Sequence, residues 1–198
     1  MKKKFFKSKK QMIIYIILYA ILIYGFIYLG TRNYNKGEIT DQKHFDQEFS
    51  MVDEENVFTY INSNDARRLI KSGRTIIFFG TSTSQWVNYY AKILNDEAKE
   101  DGITDIYYYD FISDRTDNNG TYESIVEYLK NYVTTNDEGK KEIYAPTLVV
   151  IKNNKVLYFD DETSLVKGTV TPDIYWNEYQ IGLEKTTLKQ VFKDYKED

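Results

Sequence analysis

Thr75-Ile76-Ile77-Phe78-Phe79-Gly80-Thr81-Ser82-Thr83-Ser84-Gln85-Trp86-Val87 is the stretch on which the reading of the chain turns. Its first part, residues 75–79, is β-branched and aromatic without alternation, the pattern of a central strand buried on both faces. Gly80 to Thr83 is turn chemistry. Beyond it Trp86, Tyr90, Ile93, Leu94 and Ala98 recur at helical spacing, and Gly102 supplies a stop. A strand, a tight turn and a helix N-terminus gather unpaired backbone N–H groups, which is where α/β folds place reactive or anion-binding groups. Here that point holds hydroxyls and Gln85, and no Cys, His, Lys or acid. The absence is the main functional clue.

Working outward, residues 57–61 predict an opening strand. A short helix follows through Ala66, Leu69 and Ile70, capped by Asn62, Ser63 or Asn64 and stopped at Gly73. Residues 105–111 read as the next strand and 112–120 as a polar loop. That loop invites a calcium reading, but an EF-hand register with Gly120 sixth puts Arg115 first and Val126 at the bidentate position, so the motif fails. Ile125, Val126, Leu129, Tyr132 and Val133 predict a helix, and 134–142 a charged loop. Two strands, 147–152 and 156–160, flank Asn153-Asn154, a pair suited to a two-residue hairpin turn. Residues 161–182 have no clear period, and 169–176 within them read as an inserted loop lying over something. Thr187-x-x-Gln190 reads as a capping box, with Leu188, Val191, Phe192 and Tyr195 on the apolar face of a final helix.

The N-terminus carries six lysines in its first ten residues, and residues 12–29 are then uncharged and rich in Ile, Leu and Tyr. Eighteen residues at 1.5 Å rise span about 27 Å, enough for a bilayer core, and exceed the h-region of a cleaved signal peptide. We expect a basic cytoplasmic N-terminus (1–10), a transmembrane signal anchor embedded in the lipid bilayer (11–30), a linker (31–55) and an α/β domain (56–198). The lysines place the N-terminus inside the cell and the domain outside the cytoplasm. Residues 33–198 hold 19 basic and 30 acidic side chains, a net of −11 that the whole-chain value of −4 conceals. An acidic domain of this kind is no nucleic-acid binder. His44, the sole histidine, falls in the linker with no metal-ligating or catalytic partner.

The segment around Ser84 resembles the active-site region of the thioredoxin superfamily, and most closely a small bacterial thioredoxin-like family with Cys-Pro-Trp-Cys after a Gly-containing turn. Trp86 stands where that motif keeps its Trp. Ser84 replaces the first Cys, Gln85 the Pro and Val87 the second Cys. Tyr144-Ala145-Pro146-Thr147, followed by a strand, a turn and a strand, is similar to the superfamily's cis-proline segment. The likeness covers roughly residues 56–195. It implies a central mixed sheet with helices on both faces, parallel through 75–79 and 105–111 and antiparallel across the Asn153-Asn154 hairpin, and a cis Ala145–Pro146 bond. It also implies a buried acid six positions before the first Cys, where this chain has Phe78.

Chemistry then limits the function. The chain has no cysteine, and thiol–disulfide exchange needs one thiolate to attack and a second sulfur to resolve. We therefore expect no catalytic residues, no cofactor and no metal. A non-redox member of this superfamily can still bind an extended protein or peptide as an added strand at the proline loop, with Trp86, Tyr144, Ala145 and Pro146 forming the site. Nineteen tyrosines suit amphipathic contact surfaces of that sort. Two other readings stay open: a thiol cofactor such as glutathione held at the Ser84 helix N-terminus, where Thr83 or Ser84 otherwise acts only as a cap, and a structural subunit of a membrane complex.

Overall fold

In the computed structural model, which describes residues 39–166 and 170–197, the strand β2 (Arg74–Gly80) lies in the middle of a five-stranded sheet. From Thr75 to Gly80 every residue is buried. The cause is lateral as well as facial. β3 (Ile106–Asp110) pairs parallel to one edge, with Phe78 opposite Tyr108, and β6 (Thr147–Lys152) antiparallel to the other, with Phe78 opposite Leu148. β1 (Phe58–Tyr60) joins β3 in parallel, and β7 (Lys155–Asp160) joins β6 antiparallel, giving the order β1-β3-β2-β6-β7. A separate pair of two-residue strands, β4 (Thr134–Thr135) and β5 (Lys141–Glu142), closes the charged loop.

The alternation of side chains divides the interior into two cores. Ile76, Phe78, Tyr108, Leu148 and Val150 face one side. There they meet α3 (Gln85–Glu100), through Val87, Tyr90 and Leu94, and the last helix α7 (Glu178–Lys196), through Leu188 and Phe192. Ile77, Phe79, Tyr109, Val149 and Ile151 face the other. They pack on α2 (Ser63–Lys71), capped by Asn62, and on α5 (Gly120–Tyr128), capped by Asn119. Between β3 and α5 runs the short helix α4 (Ile112–Thr116). The hairpin turn forms at Asn153 and Asn154, with φ of 54° and 61°, a left-handed conformation that asparagine tolerates. Gly73 (φ +85°) sits against it: a Cβ there would lie 2.6 Å from Asn154 Oδ1, and the Asn154 amide donates to its carbonyl.

The linker ends earlier than the sequence suggests. Asp41–Glu48 is a helix, α1, and its Phe45 is fully buried, as is Phe49 just beyond it. Phe45 stacks on Phe58 at 4.0 Å and on Phe49 at 4.2 Å, and meets Tyr108 edge-on at 5.2 Å. The Asn56 amide ties the following loop to Gln42 O and Asp53 O, and Asn95 Oδ1 accepts the Val57 amide. Residues 41–55 therefore belong to the domain. His44 is a surface residue of α1, stacked on Tyr60 and 3.6 Å from Glu48.

Two helix boundaries also move. α5 stops at Tyr128 with Leu129 as its cap, so Val133 reaches the core from a loop and Tyr132 lies exposed against Phe159. The final helix begins at Asn177, whose side chain accepts from the Tyr179 and Gln180 amides. Thr187 is therefore mid-helix, donating to Leu183 O, and the expected capping box does not form. The cap at Asn177 starts the helix nearly three turns earlier, and Gly182 is carried through it. The loop 112–120 is organised by Asp114, which accepts from Tyr109 OH and Asn119 Nδ2. The span expected at 11–30 lies outside the described residues, among which no helix is long and apolar enough to cross a membrane.

Candidate functional site

Five chain segments converge at one end of the sheet. β2 ends there at Gly80 and β3 at Asp110. β6 begins at Thr147 opposite Phe79, and β7 ends at Asp160 opposite Leu148. α6 (Pro172–Tyr175) and Trp176 after it close over the same end. Pro at the first helical position fixes φ there and lacks the N–H that would go unpaired, which is why the tail turns helical at this point.

Ser84 is the N-cap of α3: its Oγ accepts the Val87 amide at 3.5 Å, and its own N–H donates to Thr81 O. Gln85 is exposed and Trp86 half-buried, while Val87 is fully buried. Val87 points back at Gly80, where a Cβ would approach its Cγ1 to 2.7 Å, so only glycine allows the turn to pack this tightly. The four motif positions thus have different fates, and the one matching a second cysteine is core. Asp110, which the sequence reading did not single out, reaches into the turn and accepts from Thr81 and the Ser82 amide as well as from Ile112 N. Burial raises its pKa, and those hydrogen bonds pull it back. A carboxylate thereby occupies part of the N–H array that an external anion would use.

The Ala145–Pro146 bond is cis. Pro146 is buried and Ala145 half-buried. Thr147 Oγ1 donates to Tyr144 O at 2.6 Å, Arg115 to Ile143 O, and the Ile143 amide to Tyr122 OH, so the approach to the proline is clamped from three sides. Among the described residues, no hydrogen bond reaches the amide or carbonyl of Ala145. The expected aromatic patch is divided. Tyr144 lies against the Arg115 guanidinium (5.7 Å), whereas Trp86 meets Tyr175 edge-on at 5.5 Å, and Tyr175 in turn meets Trp176.

Behind those rings is a second cluster. Tyr90 of α3, fully buried, donates its hydroxyl to Asp160 Oδ2 at 2.7 Å and Glu184 Oε1 at 3.1 Å. Burial pushes the Glu184 carboxyl up to about 7, the neighbouring Asp160 and Glu162 charges add to the rise, and the Tyr90 hydrogen bond opposes it. A pocket of about 380 Å³ opens here, walled by Tyr158, Asp160, Glu162, Tyr175, Trp176 and Glu184 among others. One signal in the sequence marked it: Glu184 stands four residues before Leu188 and eight before Phe192, an acid in the core-facing row of a helix. Among the described residues no group of three or more acids, histidines or cysteines is placed to hold a metal ion. No protein-family model matches the chain, and no curated protein matches it.

Proposed function

We propose that the chain is a membrane-anchored, redox-inactive thioredoxin-like domain that holds an extended protein or peptide segment outside the cytoplasm. The observation that carries the reading is the Ala145 backbone, half-exposed at the head of β6 with its amide and carbonyl unpaired among the described residues. An extended segment laid there gains main-chain hydrogen bonds, and Trp86 and Tyr175 offer it aromatic contact. The sheet order, with three parallel strands followed by an antiparallel hairpin, and the strand–turn–helix at Ser84 support the thioredoxin-like assignment. With no sulfur but methionine, the domain has no redox cycle of its own.

A labelled library of short peptides titrated onto the purified full chain tests binding. Trp86→Ala is expected to weaken the best binder about tenfold, the loss of one interfacial aromatic anchor. Equal binding by wild type and variant would remove this end of the sheet from consideration.

The assignment of the turn has its own test. Ser84→Cys/Val87→Cys places two sulfurs one helical turn apart, with the first aimed at the Val87 N–H, and is expected to form a reversible intramolecular disulfide. Free-thiol counts unchanged by oxidant would show that the turn lacks thioredoxin geometry. Anchoring follows from the lysine-flanked apolar run at 11–30. Protease added outside intact cells should degrade the domain, and full protection would reverse the topology.

A further inference from the structure

We propose that the pocket behind Trp86 receives a primary ammonium group, presented by a lysine side chain of the segment paired at Ala145; the assignment rests on the peptide-binding reading above. Asp160, Glu162 and Glu184 line the pocket, and no Lys, Arg or His does. Among the described residues none of the three forms an ion pair. Tyr90 approaches two of them with one hydroxyl, and a single proton serves one carboxylate at a time. An ammonium brings three donors and the missing charge.

The walls select the kind of cation. Tyr158, Tyr175 and Trp176 line the pocket, and aromatic walls attract an organic ammonium, whereas a metal ion must keep an oxygen shell that they do not supply. Leu183 offers apolar surface for a methylene stem. Trp176 is 6 % exposed, and its indole N–H has no hydrogen-bond partner among the described residues. A peptide also offers backbone groups to the unpaired amide and carbonyl of Ala145, which a simple amine does not. The position also fits: Asp160 lies opposite Leu148, three residues along from Ala145, and Tyr175 joins the pocket to Trp86. Burial, and after it the Asp160 charge, raises the Glu184 carboxyl to about 7, so an arriving ammonium favours loss of its proton and binding strengthens as pH rises through about 7.

The purified full chain, titrated with acetylated and amidated Gly-Gly-Lys-Gly-Gly, the same peptide carrying norleucine in place of lysine, and cadaverine, tests this by calorimetry and tryptophan fluorescence. The lysine peptide is expected to bind about tenfold tighter than either other probe, with the gap narrowing below about pH 6. Glu184→Gln and Glu162→Gln should each weaken it about fivefold while thermal melts show the fold intact. Norleucine binding as tightly as lysine overturns the ammonium site and leaves the peptide reading standing. Cadaverine binding as tightly overturns the peptide as the source of the charge. Absence of binding by all three overturns both the ammonium site and its peptide setting.

Discussion

Phe45→Ala is expected to destabilise the domain by about 3–5 kcal/mol, the usual cost of deleting a fully buried phenylalanine. The ring touches Phe49, Phe58 and Tyr108, and through Tyr108 it reaches the strand beside β2. Nothing nearby is loose enough to refill the space: Phe49, Phe58 and Tyr108 are themselves fully buried. Removal therefore leaves a cavity under β1, which is only three residues long and has β3 as its one strand neighbour. Urea unfolding of the full chain followed by circular dichroism measures the loss. Gln47→Ala, an exposed position on the same helix, is the control and should move stability by less than about 0.5 kcal/mol. A cost below about 1 kcal/mol for Phe45→Ala would return α1 to the linker.

That helix shows where sequence reading loses its grip. Asp41–Glu48 contains one apolar side chain, Phe45, so no period of 3.6 can be counted, and its partner Phe49 falls one residue beyond the helix. The central strand announced itself because burial on both faces removes polar residues altogether. The hairpin did so because two adjacent asparagines in left-handed conformation leave few alternatives. Local chemistry of that kind is written in adjacent residues. The acidic pocket is not, because Tyr90, Asp160 and Glu184 come from three elements and meet only once α3, β7 and α7 are assembled. The Ser84 turn lies between these cases. Its helix start and its missing sulfur were readable, but Trp86 finds Tyr175, from a segment without pattern, in place of Tyr144.

Glu184→Gln is expected to stabilise the protein at about pH 8 by on the order of 3 kcal/mol and to change little at about pH 4. The sign follows from proton counting. The carboxyl titrates near 4.5 in the unfolded chain and near 7 in the fold, with burial as the first cause and the Asp160 charge as the second. Between those values the folded state binds more protons, so its stability falls as pH rises, and above them the full penalty is in force. Glutamine keeps an oxygen for the Tyr90 hydroxyl and has no charge to desolvate. Asp110, Asp161 and Glu97 are also raised, chiefly by burial, so the wild-type slope contains several groups of the same sign. Subtracting the variant's pH profile from the wild type's isolates Glu184. Thermal melts over that pH range make the measurement, and a difference that does not grow with pH would show that the carboxyl is not strained in the fold. The same substitution is expected to weaken ammonium binding. A side chain that lowers stability at neutral pH and raises affinity for a cation is retained for the ligand, and stability up with affinity down in one variant is an outcome that a purely structural glutamate does not produce.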